Sequence, residues 1–325
     1  MRHFTRRPAA WMLALALLAS PSLAFAQNWP SRPITMIVPF GAGGAPDIIA
    51  RFVAQEMGDR LGQRVIVENR TGASGNLGAQ AVARAAPDGY TILLGTPNPI
   101  VINKLIGGIT QGFDPEKALT PIVILGKSAS VIVTAKDAQA TSLKQLLDNA
   151  KRDPGKLTVG VPGMGTSSHV AMELLMHLSN TKFSVVPYRG TPSPTDILSG
   201  QITVAITPTT GYISLVNEGA LRALTVTSLK RSTQLPDVPT VQELGYPGFE
   251  ATTWYVLMAP TGTPEPLIKT MNEVVHTYLA SEKGKQMLQQ FDAQAERGTP
   301  EEAKTFIAAE AVKWAPIVKA ANIKM

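Results

Sequence analysis

Residues 34–50 read ITMIVPFGAGGAPDIIA, and the way this stretch divides sets the architecture of the chain. Ile34 to Phe40 is a short apolar run rich in β-branched residues, the pattern of a buried strand. It stops at Gly41-Ala42-Gly43-Gly44-Ala45-Pro46-Asp47. Beyond it Ile48, Ile49, Phe52, Val53, Met57 and Leu61 recur at helical spacing, with Arg51, Gln55, Asp59 and Arg60 on the other face. Pro46 suits the first turn of that helix, where its missing N–H has no partner to lose. Asp47 suits the positive end of the helix dipole. The unit is strand, glycine-rich turn, helix.

Working outward, Val65 to Glu68 is a second strand, Gly72, Gly75 and Gly78 punctuate the next loop, and Ala79 to Ala86 read as helix. Pro87-Asp88-Gly89 turns into a third buried strand, Tyr90 to Gly95. Strands alternating with helices at this spacing predict βαβ units around a mostly parallel sheet. A similar cycle follows, with strands at 121–125 and 130–134, a helix at 142–151 and a strand at 157–161. That strand ends at Pro162-Gly163-Met164-Gly165-Thr166-Ser167-Ser168 and leads into a helix over 169–178. Strands at 183–188, 202–206 and 223–227 complete the set, and helices are expected over 266–280, 282–292 and 300–321. Glycine in one strand-to-helix turn often serves geometry alone. Two such turns, 41–47 and 162–168, in separate α/β segments offer unpaired N–H groups that would hold an anion from both sides.

At 325 residues the chain is long enough for two domains, and its 44% hydrophobic and 17% charged residues are ordinary for a globular protein. The formal charge of +6 falls to +3 without Arg2, Arg6 and Arg7, too small an excess to point to nucleic acid. Those arginines, the apolar run Trp11 to Ala19 and Ala24-Phe25-Ala26 compose a signal peptide over 1–26, cleaved after Ala26. Thr5-Arg6-Arg7 is a weak twin-arginine match, because Pro8 and Ala9-Ala10 follow poorly, so the general secretory route is favoured. No later stretch reaches 18 apolar residues and no cysteine is present, so the exported product is expected to be soluble and not lipid-anchored. The missing cysteine also removes disulfides, thiolate metal sites and cysteine nucleophiles.

Three tempting motifs fail. Gly41-x-Gly43 begins a dinucleotide fingerprint whose third glycine would fall at Pro46, Gly163-x-Gly165 fails likewise at Ser168, and no Walker lysine follows either loop. His169 and His177 lie eight apart and His276 is remote, so no metal-ligand spacing exists. Ser167, Ser168 and His169 are adjacent, but neighbouring side chains at a helix start diverge and G-x-S-x-G is absent. No cofactor, metal or catalytic residue is expected.

The runs Trp29-Pro-x-x-Pro33-Ile34, Val38-Pro39-Phe40-Gly-Ala-Gly-Gly44-x-x-Asp47 and Val67-Glu68-Asn69-Arg70-x-Gly72-Ala73-x-Gly75-Asn76 form one signature, joined by Ala85-Ala86-Pro87-Asp88-Gly89-Tyr90-Thr91. With Gly163-x-Gly165-Thr166-x-x-His169, Val186-Pro187-Tyr188-Arg189-Gly190, Leu235-Pro236-Asp237-Val238-Pro239-Thr240 and Trp254-Tyr255, the chain resembles the Bug-type (TctC-like) substrate-binding proteins of tripartite tricarboxylate transporters. The resemblance implies an α/β, two-lobed periplasmic binding protein of type II (Venus-flytrap), each lobe a mostly parallel sheet flanked by helices. Lobe 1 would comprise 27–126 plus 248–325, and lobe 2 would comprise 127–247. It implies a monomer in the periplasm that captures a small organic carboxylate and delivers it to a membrane permease of a large and a small subunit. A ligand-sensing partnership with a membrane sensor kinase is the alternative, and an exported enzyme on this fold a third.

Carried over residue by residue, the ligand site implied by the resemblance is Phe40, Gly41, Ala42, Gly43, Gly44, Ala45 and Asp47 in the first loop and Gly163, Met164, Gly165, Thr166, Ser167 and His169 in the second. Backbone N–H groups of 42–45 and 165–167 would hold carboxylate oxygens, with Phe40 as an apolar wall. Asp47 would order its loop or meet a ligand amine, His169 would reach into the cleft or orient its loop, and Arg189 would pair a second carboxylate or bridge the lobes. Where the family commonly carries two acids after Gly200-Gln201-Ile202, this chain has Thr203 and Thr207. A wall without those acids favours di- or aromatic carboxylates over amino acids.

Overall fold

The computed structural model describes residues 29–108, 113–296 and 298–320, so the expected signal peptide and its cleavage point lie outside the described residues. In chain order the elements are β1 (Ile34–Val38), α1 (Ala45–Leu61), β2 (Val65–Asn69), α2 (Asn76–Ala83), β3 (Thr91–Gly95), a π-helical turn (Asn98–Ile102) running into α3 (Asn103–Leu105), and α4 (Pro115–Ala118). Then come β4 (Leu119–Ala135), α5 (Leu143–Arg152), β5 (Thr158–Val161), α6 (Ser167–Ser179), β6 (Ser184–Pro187), α7 (Pro194–Leu198), β7 (Val204–Pro208), α8 (Ile213–Asn217) and β8 (Leu221–Val226). The chain closes with β9 (Thr252–Pro260), α9 (Glu265–Ala280), α10 (Glu282–Gln290), β10 (Ala293–Ala295) and α11 (Pro300–Ala320).

The strands run β2-β1-β3-β9-β4-β7-β5-β6, with β8 and β10 also pairing β4. β1 pairs β2 and β3 in parallel, and β5 pairs β6 and β7 in parallel. Between these parallel sets, β9 and β4 pair their neighbours antiparallel, so the sheet is mixed rather than mostly parallel throughout. β4 belongs to both halves: Ala129 still pairs Thr252 of β9, and the next residue, Ser130, pairs Pro208 of β7. The two strands expected at 121–125 and 130–134 are therefore one. Gly126, Lys127 and Ser128 do not break it because β9 lies on one side and β10 on the other, with register shifts absorbing the irregularity.

Alternation along the central strands builds three cores, one of them in the second half around Val131, Val133, Ile197 and Val226. Ile34, Met36 and Val38 of β1, with Ile92 and Leu94 of β3, pack under α1, α9 and α10. Ile37 and Leu93, one residue out of phase, pack on the opposite face with α2, as a strand's period of two demands. That second core is continuous with the apolar faces of α5 and α6 and with Trp314, Ile317 and Val318 of α11. α11 thus packs on β4 and α6 together and braces both halves. Among the described residues no helix is long and apolar enough to cross a membrane.

Candidate functional site

β1 has β2 on one side and β3 on the other, and α1 and α2 lie on opposite faces of the sheet, so a crevice opens beyond the carboxyl end of β1. β5, flanked by β6 and β7, repeats the arrangement in the second half. The two glycine-rich turns leave the carboxyl ends of these two strands. Each runs into a helix N-terminus, where backbone N–H groups lack helical partners and the dipole favours an anion.

In the first turn Gly41, Ala42, Gly43 and Gly44 are exposed, and Phe40 and Ala45 are half-buried. Gly44 is the N-cap of α1 and supplies no side-chain cap, leaving the helix start open. Among the described residues no hydrogen bond engages the N–H of Gly41, Ala42, Gly44 or Ala45. The Gly43 N–H is different: it donates to Asp47 Oδ2 at 2.9 Å. Asp47 is buried and also accepts from Arg51 Nε (3.0 Å) and Nη2 (3.0 Å) and from Asn69 Nδ2 (2.9 Å). Its acceptors are committed to the loop, to Arg51 of α1 and to Asn69 at the end of β2, and the Gly43 N–H is engaged with them.

Burial alone would raise the Asp47 pKa. The hydrogen bonds from Arg51, the Gly43 N–H and Asn69, with the Arg51 charge, outweigh it and hold the carboxyl below its ordinary range. A folded-state value below the unfolded one stabilises above the ordinary carboxylate range and stops doing so as pH falls through the lowered value. Asp47→Asn is therefore expected to cost about 1.5–3 kcal/mol at neutral pH, the range for hydrogen bonds to a charged group. In urea unfolding followed from about pH 7 to pH 3, the gap between variant and parent should close toward acid. A gap that stays constant would show that the charge on Asp47 is not what staples the loop.

In the second turn Gly165 is buried at φ +70°. Its N–H donates to His169 Nδ1 at 2.9 Å and its carbonyl accepts from Asn98 Nδ2 at 2.6 Å. Because Nδ1 accepts, the proton of neutral His169 sits on Nε2, which faces Glu173 Oε1 at 3.3 Å. His169 is 1% exposed and holds the Gly165 N–H through its Nδ1 hydrogen bond. The Gly165 N–H, like that of Gly43, is spent internally. Thr166 caps α6 by accepting from the His169 N–H (3.3 Å) and donates to the Gly163 carbonyl (2.8 Å). Met164 is exposed and Gly163 and Ser167 are half-buried, with no hydrogen bond on the Ser167 N–H among the described residues.

The flanking candidates divide. Arg189 is exposed on the segment running beside the second turn, where Tyr188 and Gly190 donate to the carbonyls of Val161 and Pro162. It makes no ion pair among the described residues. Thr207 is fully buried near the carboxyl end of β7, with its hydroxyl unpartnered. Thr203 lies at the other end of that strand, where it exchanges hydrogen bonds with Thr158. Of the two substituted acid positions, only Thr207 stands at the end of the strand from which the loops emerge.

Sequence reasoning missed Asn98, Ser130, Ser168 and the 73–76 turn. The Ser168 hydroxyl meets that of Ser130 on β4 at 2.9 Å, tying the start of α6 to the shared strand. Ala73, Ser74 and Gly75 take positive φ in succession, held by Asn103, whose Nδ2 donates to the Ser74 carbonyl and to Asn76 Oδ1. Positive φ in non-glycine residues is sparsely populated and persists only where surroundings over-determine it. A Cβ on Gly75 would stand 3.4 Å from Phe40 Cζ and 3.3 Å from Pro99 Cγ, so this strained turn abuts the first loop. The visible signal was Gly72-Ala73-x-Gly75-Asn76 itself. Asn98 carried none, because its partner lies 67 residues away.

The profile of the tripartite tricarboxylate transporter family receptor (TctC) matches residues 49–323. The chain is 35% identical over 319 residues to protein BugT of Bordetella pertussis, covering 96% of each. Among solved structures, Rhodopseudomonas palustris Rpa4515 with adipate superposes with a TM-score of 0.81 at 32% identity, covering 91% of this chain and 99% of that one. MatC of the same organism with bound malate gives 0.77 at 30% identity, covering 89% and 100%. The chain belongs to the TctC (Bug) family of periplasmic solute-binding receptors.

Proposed function

We propose that this protein captures a small organic carboxylate, a di- or aromatic carboxylate, between the 41–45 and 163–168 turns and hands it to a permease of a large and a small subunit. The observation that carries the reading is the pair of turns at equivalent strand ends. Each keeps uncommitted backbone N–H groups, and the Asn98–Gly165 hydrogen bond joins their surroundings. Open N–H groups at a helix start favour a carboxylate, and Arg189 at the rim of the second turn suits a second one. The malate and adipate held by the neighbours are dicarboxylates, which supports the same class.

In this reading the lobes are 27–126 with 248–325, and 127–247. The change of β4's partner between Ala129 and Ser130 supports that division. A ligand that touches both lobes only when they close stabilises the closed state. Micromolar affinity, about −8.2 kcal/mol, is within reach of a few charge-assisted hydrogen bonds and modest apolar burial. The test is thermal unfolding of the purified protein against linear dicarboxylates, aromatic carboxylates and amino acids. An acid supplied at about 100 times its Kd is expected to add about 2.7 kcal/mol of stability. Stabilisation by amino acids alone, or by none of the panel, would overturn the proposal.

A further inference from the structure

The segment from Asn98 to Ile106 has two faces. Residues 98, 102 and 106 recur at helical spacing, and two of them meet the second glycine turn: Asn98 through its hydrogen bond and Ile106 as the nearest atom to a Cβ on Gly165, at 2.9 Å. The other face, with Ile100, Val101 and Lys104, looks away from that turn into a cavity of about 370 Å³ beneath α11. Its floor is apolar, with Ile100, Leu119, Met258 and Ile307 all buried. Its rim carries Lys104, Lys117 and Lys304 against one acid, Glu116.

The lysines are not equivalent. Lys104 is committed to Asp114 (2.9 Å) and Glu116 (3.1 Å). Lys117 is 85% exposed and reaches Asp114 only at 4.0 Å, and Lys304 is exposed with no ion pair among the described residues. Lys304 therefore stands free, and Lys117 is held only loosely by Asp114, beside a pocket whose buried residues are apolar and whose lining adds the hydroxyls of Thr120 and Thr261. The volume falls within the range of small-molecule sites. An apolar chain would be favoured on the floor. A second charge buried there would be heavily penalised, which sets this pocket apart from the polar cleft.

We infer that this cavity is a second ligand site, taking an amphiphilic monocarboxylate whose alkyl or aryl part lies on Ile100, Leu119, Met258 and Ile307 and whose carboxylate meets Lys304 and Lys117. The inference does not depend on the reading of the cleft. Octanoate is the probe, titrated calorimetrically into the full-length mature protein, with octanol as its uncharged counterpart. One octanoate is expected to bind per chain, about tenfold tighter than octanol. Ala308 lines the cavity and is exposed on α11, so Ala308→Trp fills the space from outside and should weaken octanoate at least about tenfold. Lys304→Glu reverses a rim charge without touching the floor and should weaken octanoate more than octanol. This surface change decides the question if Ala308→Trp fails to fold. Octanoate binding should persist in Gly165→Val. No saturable binding, binding indifferent to both α11 variants, or binding lost in Gly165→Val would each overturn the site.

Discussion

Replacing Gly165 by valine is expected to abolish carboxylate binding, by about 100-fold or more in Kd, in a chain that stays folded. Gly165 sits at φ +70°, a region where a β-branched residue is a genuine outlier costing about 1–3 kcal/mol. The added side chain also starts 2.9 Å from Ile106 Cδ1. Relief of both requires the turn to move, and with it the N–H given to His169 and the carbonyl held by Asn98. The strand and helix that bracket the turn are secured elsewhere, by Val159, Val161, Val170 and Met172 in the core. Calorimetric titration with the acid selected by thermal unfolding, beside circular dichroism of the variant, measures both halves of the expectation. Gly200→Val is the control, since Gly200 has φ +75° with nothing within 4 Å of its Cβ, so it imposes backbone strain away from the turn. Affinity within about threefold of the parent in Gly165→Val would remove the second turn from the site.

Glu310→Leu is expected to lower stability by about 3–5 kcal/mol, the cost of removing one partner from a buried charged network. Glu310 on α11 is 4% exposed, and its Oε2 accepts from the indole N–H of Trp254 and of Trp314, each at 3.0 Å, while Oε1 pairs with Lys313. Leucine fills similar space and leaves two buried indole donors without acceptors, each costing about 1–3 kcal/mol. Trp254 belongs to β9 in the middle of the sheet, and α11 also packs on α6, so the network fastens the helix that braces both halves. Glu310→Gln keeps an acceptor for the indoles and should lose clearly less. Urea unfolding of the three proteins gives the comparison. A loss below about 1 kcal/mol in the leucine variant would show that apolar packing, not the shared carboxylate, holds α11 in place.

Legibility followed the range of each interaction. The unit at 34–61 was readable because strand, turn and helix are each specified by residues within a few positions, and the structure shows β1, the open turn and α1 there. The family signature was equally local. β9, Thr252–Pro260, was not assigned as a strand, although its apolar run is of the same kind as that of β1; unlike β1 it is not followed by a glycine-rich turn into a helix. Thr203 was grouped with Thr207 on spacing alone, although they stand at opposite ends of one strand with different surroundings.

By itself, then, the amino-acid sequence determined that two glycine-rich turns follow two buried strands and open two helices, and that the chain carries the features of a family of receptors. The tertiary structure alone decided which N–H groups remain free once Asp47 and His169 have taken those of Gly43 and Gly165, that one strand serves both halves, and that Asn98 reaches Gly165. Periodicity and turn chemistry record what a residue needs from its near neighbours. A hydrogen bond's partner, when it comes from a remote segment, is chosen only as the packed elements bring donor and acceptor together.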